Sequence, residues 1–346
     1  MQLAKIVLDR MRADEIGPAP SLAFSSDEQP GWRRLRRGTG FSYRAEDGSR
    51  PDASELARIQ ALVIPPAWTD VWICRDACGH IQATGRDEKG RKQYCYHADW
   101  TQQRSATKFD TLGGFAKVLP GLREQVERDL RRRSLCYERV IASVVWLLDN
   151  SLIRIGNPTY ARQNNSFGLT TLRRKHVEIT GHRLHFQFQG KSGKLWRLQM
   201  ADRRIANILK TLQDMPGQHL FKYENEGQFC SISSRDVNDY LVAFAGPGFT
   251  AKHFRTWAGT VRAFGLFAAP ELPETKTARA RAMNAVIDQV APQLGNTRTV
   301  CRQSYVHPAI LKHWEAGTLR RSGRLKPIDM MDEDEVETAA FLKRLA

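Results

Sequence analysis

Five polar residues, spread over the second two-thirds of the sequence, have the types that reversible phosphodiester chemistry calls for. Arg154 follows an apolar run in Leu152-Ile153-Arg154-Ile155-Gly156-Asn157, and Lys191 tips a turn in Phe188-Gln189-Gly190-Lys191. Arg255 lies in Lys252-His253-Phe254-Arg255-Thr256-Trp257. Asn296, in Leu294-Gly295-Asn296-Thr297, precedes Tyr305 by a short helical spacing. A tyrosine hydroxyl can store a phosphoryl bond as an ester. Its reference pKa is about 10, so attack on an anionic phosphate requires positive charge nearby. Guanidinium forks bind two phosphate oxygens and stay protonated. An amide adds a neutral donor, and a lysine can give up a proton. Each residue alone also has an ordinary reading: Arg154 as a helix-end cation, Lys191 as an exposed turn lysine, Tyr305 as a core tyrosine. The ordered set outweighs those separate readings.

Other chemistries are disfavoured. Gly190-Lys191-Ser192 resembles the end of a P-loop, but His185 stands where that motif needs glycine, and the segment reads as a β-turn. No nucleotide site is expected. Cys74, Cys78, His80, Cys95 and His97 have loose spacing for zinc, and the cysteines read better as small buried hydrophobes. No acidic cluster with metal spacing accompanies the five residues, so neither a metal nor another cofactor is expected. The six cysteines are scattered, which suits a reducing compartment. The first residues lack a signal-peptide core, and the longest apolar stretch, Val140 to Leu148, is far short of the roughly 20 residues that span a bilayer. A cytoplasmic protein without membrane partners is expected. Its 53 Lys and Arg against 37 Asp and Glu give a formal charge of +16, which favours a polyanion, nucleic acid by default.

The elements that must position these residues fall into two classes. Trp32 to Arg37 is intensely basic, and turn signals fill Gly38 to Pro51. A short helix is expected over Ser54 to Leu62, capped by Asp52 or Ser54 and stopped by Pro65-Pro66. Val71 to Cys74, His80 to Thr84 and Gln93 to Tyr96 read as a β-meander. Helical periodicity begins after Trp100, with an apolar helix over Leu135 to Leu152 delivering the chain to Arg154. Three strands are expected at Gly168 to Ile179, Arg183 to Gln189 and Leu195 to Met200. Asp202, Ser234 and Thr250 read as caps of three later helices, Thr275 to Val290 as another, and Asn296 to Glu315 as helix broken before Pro308. Asp329 to Glu337 reads as a frayed, solvated acidic tail. The expected fold is α+β: a β-rich DNA-binding domain at 1–100, a mainly helical catalytic domain with a three-stranded sheet at 101–325, and the tail at 326–346.

The run from Arg154-Ile155-Gly156-Asn157 through Tyr160 and Phe167-Gly168-Leu169-Thr170-Thr171-Leu172 to Lys175-His176-Val177-Glu178-Ile179 resembles the type IB DNA topoisomerases of the compact poxvirus-like and bacterial group. The resemblance runs from about Trp32 to His313. It implies that Arg154, Lys191, Arg255, Asn296 and Tyr305 occupy catalytic positions: Tyr305 as nucleophile, the arginines and Asn296 on the phosphate oxygens, Lys191 as acid toward the leaving 5′-oxygen. Lys252, one turn before Arg255, assists the proton or contacts phosphate. Viral members carry His at the position of Asn296, and an amide there donates a hydrogen bond but does not titrate. Gly90-Arg91-Lys92-Gln93-Tyr94-Cys95-Tyr96 resembles the family segment that contacts duplex DNA. Gln93 suits a base edge, Tyr94 and Tyr96 phosphates or bases, and Arg91 and Lys92 phosphates. Tyr160 joins the same set.

The implied enzyme is a monomeric clamp on double-stranded DNA in the cytoplasm, at the nucleoid. It nicks one strand through a 3′-phosphotyrosyl bond, allows rotation and reseals without ATP. A tyrosine recombinase shares the catalytic plan, but Lys252 replaces the usual His, and strands at 68–96 replace a helical core-binding domain. A non-catalytic DNA-binding module would explain the charge and leave the ordered residues unexplained. Counterion release predicts that DNA affinity falls steeply between 50 and 200 mM salt, by about a thousandfold if six phosphates are contacted. Fluorescence anisotropy across that range checks it; a flat profile would rule out electrostatic attraction as the main source of affinity.

Overall fold

The computed structural model describes residues 22–88, 90–101, 109–269 and 271–345. The chain divides into two compact units, Met1–Lys108 and Phe109–Ala346.

The first unit is built on an antiparallel sheet of β1 (Gly31–Arg37), β2 (Gly40–Arg44), β3 (Thr69–Cys74), β4 (Ile81–Arg86) and β5 (Lys92–Tyr96), in the order β2-β1-β3-β4-β5. Helix α1 (Ala53–Ala61) lies between β2 and β3 in sequence, and Asp52 caps it by accepting the Glu55 N–H at 2.8 Å. Ile59 of α1 is buried with Trp32, Val71, Ile73 and Ala83 of the sheet. Strands β1 and β2 were not among the expected elements, because arginines mask the alternation of β1 and turn-type residues surround β2. Trp32 is buried, while the Arg34 guanidinium sits 4.2 Å from the Phe41 ring centre and donates to the carbonyls of Ile64, Pro65 and Trp68. Arg34 thus ties down the segment around Pro65-Pro66 with its polar end while its stem covers an aromatic ring.

The second unit begins with the antiparallel-reading pair α2 (Leu112–Leu130) and α3 (Tyr137–Ser151), followed by α4 (Pro158–Asn164). Strands β6 (Val177–Thr180), β7 (Arg183–Gln189) and β8 (Leu195–Ala201) form an antiparallel sheet with β7 central. Leu184, Phe186 and Phe188 alternate inward along β7. Next come α5 (Arg203–Asp214), the hairpin β9 (Lys222–Asn225) and β10 (Gln228–Ser231), and α6 (Ser234–Ala245). The hairpin turn Glu226-Gly227 has positive φ at both residues, 51° and 79°, the geometry that matches strand twist. Then follow α7 (Ala251–Ala268), α8 (Lys276–Gln293), α9 (Arg298–Ser304), α10 (Pro308–Glu315) and α11 (Glu333–Lys343). Helix α7 runs through the core, burying Phe254, Trp257, Phe264 and Phe267.

Three expectations need correction. Gly168 to Ile179 is not one strand: two 3-10 turns, Leu169–Thr171 and Arg174–His176, precede the short β6. The backbone there is diverted to bond the Arg154 segment, with the Leu169 and Thr170 N–H groups donating to the Arg154 and Ile155 carbonyls at 2.9 and 2.8 Å. The cap of α6 is Ser233, not Ser234; its hydroxyl accepts the Asp236 N–H at 3.2 Å. The acidic segment is not a frayed tail. Asp332 and Glu335 form a capping box at the start of α11, and Glu335, Glu337, Phe341 and Leu342 are buried. Glu335 accepts from Arg123 of α2 at 2.7 and 2.8 Å and from Trp257 Nε1 of α7 at 2.8 Å. Asp149 of α3 completes the cluster, accepting from Arg123 at 2.6 and 3.0 Å. The carboxylates are buried acceptors, which a count of charges along the sequence cannot distinguish from solvated ones.

Burial acts to raise the Glu335 pKa, but the hydrogen bond and charge of Arg123 bring it below the ordinary value. Glu335 therefore contributes stability that is present above the unfolded carboxyl pKa and lost as pH falls through the folded one. Glu335→Ala is expected to cost about 2 kcal/mol, since it strands the Trp257 N–H and leaves Arg123 with Asp149 as its one carboxylate. Urea denaturation at pH 7 and at pH 4 measures this, and the gap between wild type and variant should narrow at the lower pH.

Candidate active site

Helix α3 ends at Leu152, a C-cap with φ of 56° that turns the chain sharply into Ile153-Arg154. The Arg154 segment is then clamped by Gly168. A Cβ on Gly168 would lie 2.4 Å from the Arg154 carbonyl oxygen and 2.6 Å from the Gly156 nitrogen, so only glycine fits this backbone crossing. Its φ is extended, and the requirement is for space. Arg154 Nη2 donates to Asn296 Oδ1 at 2.5 Å, which places the first arginine and the amide side by side.

Arg255 is buried on α7, at 3% exposure. Its guanidinium donates to the Leu152 carbonyl and, at 2.5 Å, to the Leu294 carbonyl. Its centre lies 5.1 Å from the middle of the Tyr305 ring. Tyr305 caps the C-terminus of α9, and its N–H donates to the Cys301 carbonyl at 2.9 Å. The Tyr305 carbonyl accepts the Thr260 hydroxyl at 3.2 Å, five residues beyond Arg255 on α7. A Cβ on Gly259 would fall 2.6 Å from that same carbonyl oxygen. One helix therefore fixes both the second arginine and the main chain of the tyrosine.

The electrostatics follow from this packing. Burial, then repulsion from Arg154, lowers the Arg255 pKa to about 10. Burial acts to raise the Tyr305 pKa, but the charge and hydrogen bond of Arg255, with the charges of Arg154 and Lys252, bring it below the usual phenol value. Two buried donors at the site, Arg255 Nε and Asn296 Nδ2, have no hydrogen-bond partner among the described residues. Leaving a buried donor unmade costs about 1–3 kcal/mol, and such groups in a native structure call for a ligand or a function. Cations, an unpaired amide N–H and a phenol shifted toward its anion are chemistry suited to holding an oxyanion.

The sequence matches the family model "Eukaryotic DNA topoisomerase I, catalytic core" over residues 97–322 and "Bacterial DNA topoisomerase IB, N-terminal domain" over residues 40–87. It is 33% identical over 287 residues to DNA topoisomerase 1B of Acanthamoeba polyphaga mimivirus, covering 79% of this chain and 84% of the relative. The chain belongs to the type IB DNA topoisomerases. DNA topoisomerase 1B of vaccinia virus (strain Copenhagen) is 24% identical over 73% of this chain and 80% of its own length. DNA topoisomerase 1 of Mycosarcoma maydis is 27% identical over 59% of this chain and 22% of its own. The chain is thus an isomerase acting on DNA.

Within this type IB topoisomerase the structure gathers Arg154, Arg255, Asn296 and Tyr305. Lys252 is exposed on the first turn of α7, and its charge reaches Tyr305. Lys191 is exposed on the 3-10 turn Lys191–Gly193, and no hydrogen bond among the described residues joins it to the other four. Tyr160 is exposed on α4, which Asn157 caps by accepting the Thr159 N–H at 2.8 Å. In the first unit, Tyr94 and Tyr96 are both exposed on the edge strand β5, stacked with ring centres 5.9 Å apart, while Cys95 between them packs on the core. Arg91 and Gln93 both donate to Asp87, and Lys92 pairs with Asp27 at 2.6 Å. Cys74 is buried, its thiol pushed up by desolvation, and His80 Nδ1 accepts the Ser25 N–H at 2.9 Å.

The carbonyls of Leu152 and Leu294 and the hydroxyl of Thr260 were not expected at the site. Backbone acceptors leave no signature in residue type, and only the position of Leu152 at a helix end hints at it. Gly168→Ala tests the clamp on Arg154. DNA cleavage should slow about a hundredfold, the cost of roughly 1 Å of misplacement, with DNA affinity nearly unchanged. Single-turnover cleavage and a binding titration of the same variant provide the comparison.

Proposed function

We propose that Tyr305 attacks the scissile phosphate and holds the DNA as a 3′-phosphotyrosyl ester. The phenolic proton passes to water, a P–O bond forms at Tyr305 Oη, and the bond to the 5′-oxygen breaks. Lys191 gives a proton to that departing oxygen. Arg154 and Arg255 hold the nonbridging oxygens with Asn296 Nδ2, and Lys252 acts on the phosphate or the proton path. Resealing is the reverse: the 5′-hydroxyl attacks the ester and Tyr305 leaves. Because the ester retains the phosphodiester's bond energy, rotation of the free end between the two steps relaxes supercoils without ATP. Two guanidinium groups supply the positive charge, so no metal ion is assigned a step.

The observation that carries this reading is the buried, unpartnered Asn296 Nδ2 on the amide that accepts from Arg154, next to the phenol shifted toward its anion by Arg255. The first unit serves as a DNA grip, supported by the exposed Tyr94–Tyr96 stack with Lys92 5.6 Å from the Tyr94 ring centre. On this reading the protein acts as a monomer, its two units closing on duplex DNA.

Relaxation of supercoiled plasmid in EDTA without ATP should proceed in wild type and vanish in Tyr305→Phe, which should bind DNA normally. A DNA-linked peptide mapping to another tyrosine would overturn the assignment. The role of Lys191 has its own test. Replacing the scissile 5′-oxygen with sulfur supplies a leaving group that needs little protonation. Lys191→Ala should therefore be slow on the oxygen substrate and recover on the sulfur one, whereas Arg154→Ala should stay slow on both.

A further inference from the structure

The lysine turn and the asparagine loop share one wall. Trp196 lies on β8 directly opposite Phe188 of β7, and the two rings stack with centres 6.1 Å apart and planes 6° apart. The indole is 9% exposed. Gly190, the residue before Lys191, meets its five-membered ring: a Cβ there would lie 2.6 Å from Cδ1 and 2.8 Å from Nε1. Gly295, the residue before Asn296, meets its six-membered ring: a Cβ there would lie 2.6 Å from Cζ2 and 3.0 Å from Cε2. Such distances are shorter than side chains tolerate, so both backbones touch the indole as only glycine allows. Gly190 has an ordinary negative φ of −97°, and space alone accounts for it.

We propose that Trp196 is a positioning residue that sets the separation between Lys191 and Asn296, so that proton donor and oxyanion donor are placed as one unit. The inference rests on the reading of Lys191 as the acid. A rigid ring whose one edge touches both glycine backbones transmits any shift of one backbone to the other, and its own place is fixed by the Phe188 stack. The turn is also tied across its base, with the Gly190 N–H donating to the Lys194 carbonyl at 2.8 Å. The asparagine loop is tied by the Asn296 N–H to the Ala291 carbonyl at 3.0 Å. What remains free is the spacing between these two closed loops, and the indole fills it.

The experiment is single-turnover cleavage of oxygen and 5′-sulfur substrates by wild type, Trp196→Phe, Trp196→Ala, Gly190→Ala and Lys191→Ala. Trp196→Ala should lose about a hundredfold on oxygen, the scale of a displaced catalytic group, and regain a large part of it on sulfur. The part not regained reports Asn296. Trp196→Phe keeps a ring but shortens the wedge, and Gly190→Ala pushes on the indole, so both should show a smaller loss in the same oxygen-selective sense. In the Lys191→Ala background, Trp196→Phe should add less than it does alone. A role in folding alone would slow both substrates equally and add fully to Lys191→Ala, and that result overturns the proposal. If Trp196→Ala fails to fold, the Phe and Gly190 variants decide. Should Lys191→Ala itself show no recovery on sulfur, the acid assignment fails, which is a different outcome from recovery in Lys191→Ala without recovery in the Trp196 variants.

Discussion

A buried guanidinium held by the ends of two helices is the constraint around which the catalytic unit is arranged. Arg255 donates to the carbonyl of Leu152, the C-cap of α3, and to that of Leu294, the C-cap of α8. Helix C-termini carry partial negative charge and unpaired carbonyls, so both needs are met at once. Burying a cation costs several kcal/mol, and these acceptors offset part of it. The fold must therefore bring the ends of α3 and α8 to the same point on α7. Since Arg154 follows the first end by two residues and Asn296 follows the second by two, solvating Arg255 also delivers its neighbours to the site.

The other side of α7 is braced by α11. Trp257, two residues beyond Arg255, donates to Glu335, and a Cβ on Gly265 would lie 2.5 Å from Asp334 Oδ2. Glu335 in turn receives Arg123, which also binds Asp149 on α3, the helix that ends at Leu152. Helices α3 and α7 are thus joined twice, by Arg255 at the site and by the Arg123 cluster behind it. A helix that begins 28 residues beyond the tyrosine in sequence fixes the orientation of the arginine helix.

Much of this was legible in the sequence where side-chain type and spacing carry the signal. The apolar period of α2 and α3, the alternation of β3 to β5 and the Asp202 cap of α5 are local patterns. The family resemblance, rather than residue type alone, singled out Arg154, Arg255, Asn296 and Tyr305, which the structure brings together. What escaped depends on long-range partners. The arginines of β1 look like a solvated run until Arg34 is seen binding three carbonyls. The segment after Gly168 has strand-like residues, but its N–H groups go to the Arg154 backbone. The acids of α11 look solvated until Arg123 and Trp257 arrive from elsewhere in the chain. Trp196 reads as an ordinary inward strand residue, and its two glycine contacts lie more than a hundred residues apart in sequence.

The partners chosen for each cation separate structure from chemistry. Arg123 is neutralised by two carboxylates, and its field is spent inside the protein. In the first unit, Lys92 and Arg91 each pair with one carboxylate, Asp27 and Asp87, and their side chains stay partly exposed. Arg154 and Arg255 are held by an amide oxygen and two backbone carbonyls, and no carboxylate lies within salt-bridge distance of either among the described residues. Neutral acceptors fix geometry without cancelling charge. Burial and then the repulsion between the two guanidinium groups lower the pKa of Arg255, and their charges pull the phenol toward its anion. On the proposed mechanism, a phosphate held by both guanidinium groups relieves that repulsion, satisfies Asn296 Nδ2 and meets a phenol already biased toward its anion. A carboxylate partner would have stabilised the empty site and weakened all three effects. The cost of leaving the cations unneutralised is borne by the helix ends and by the braced core behind α7.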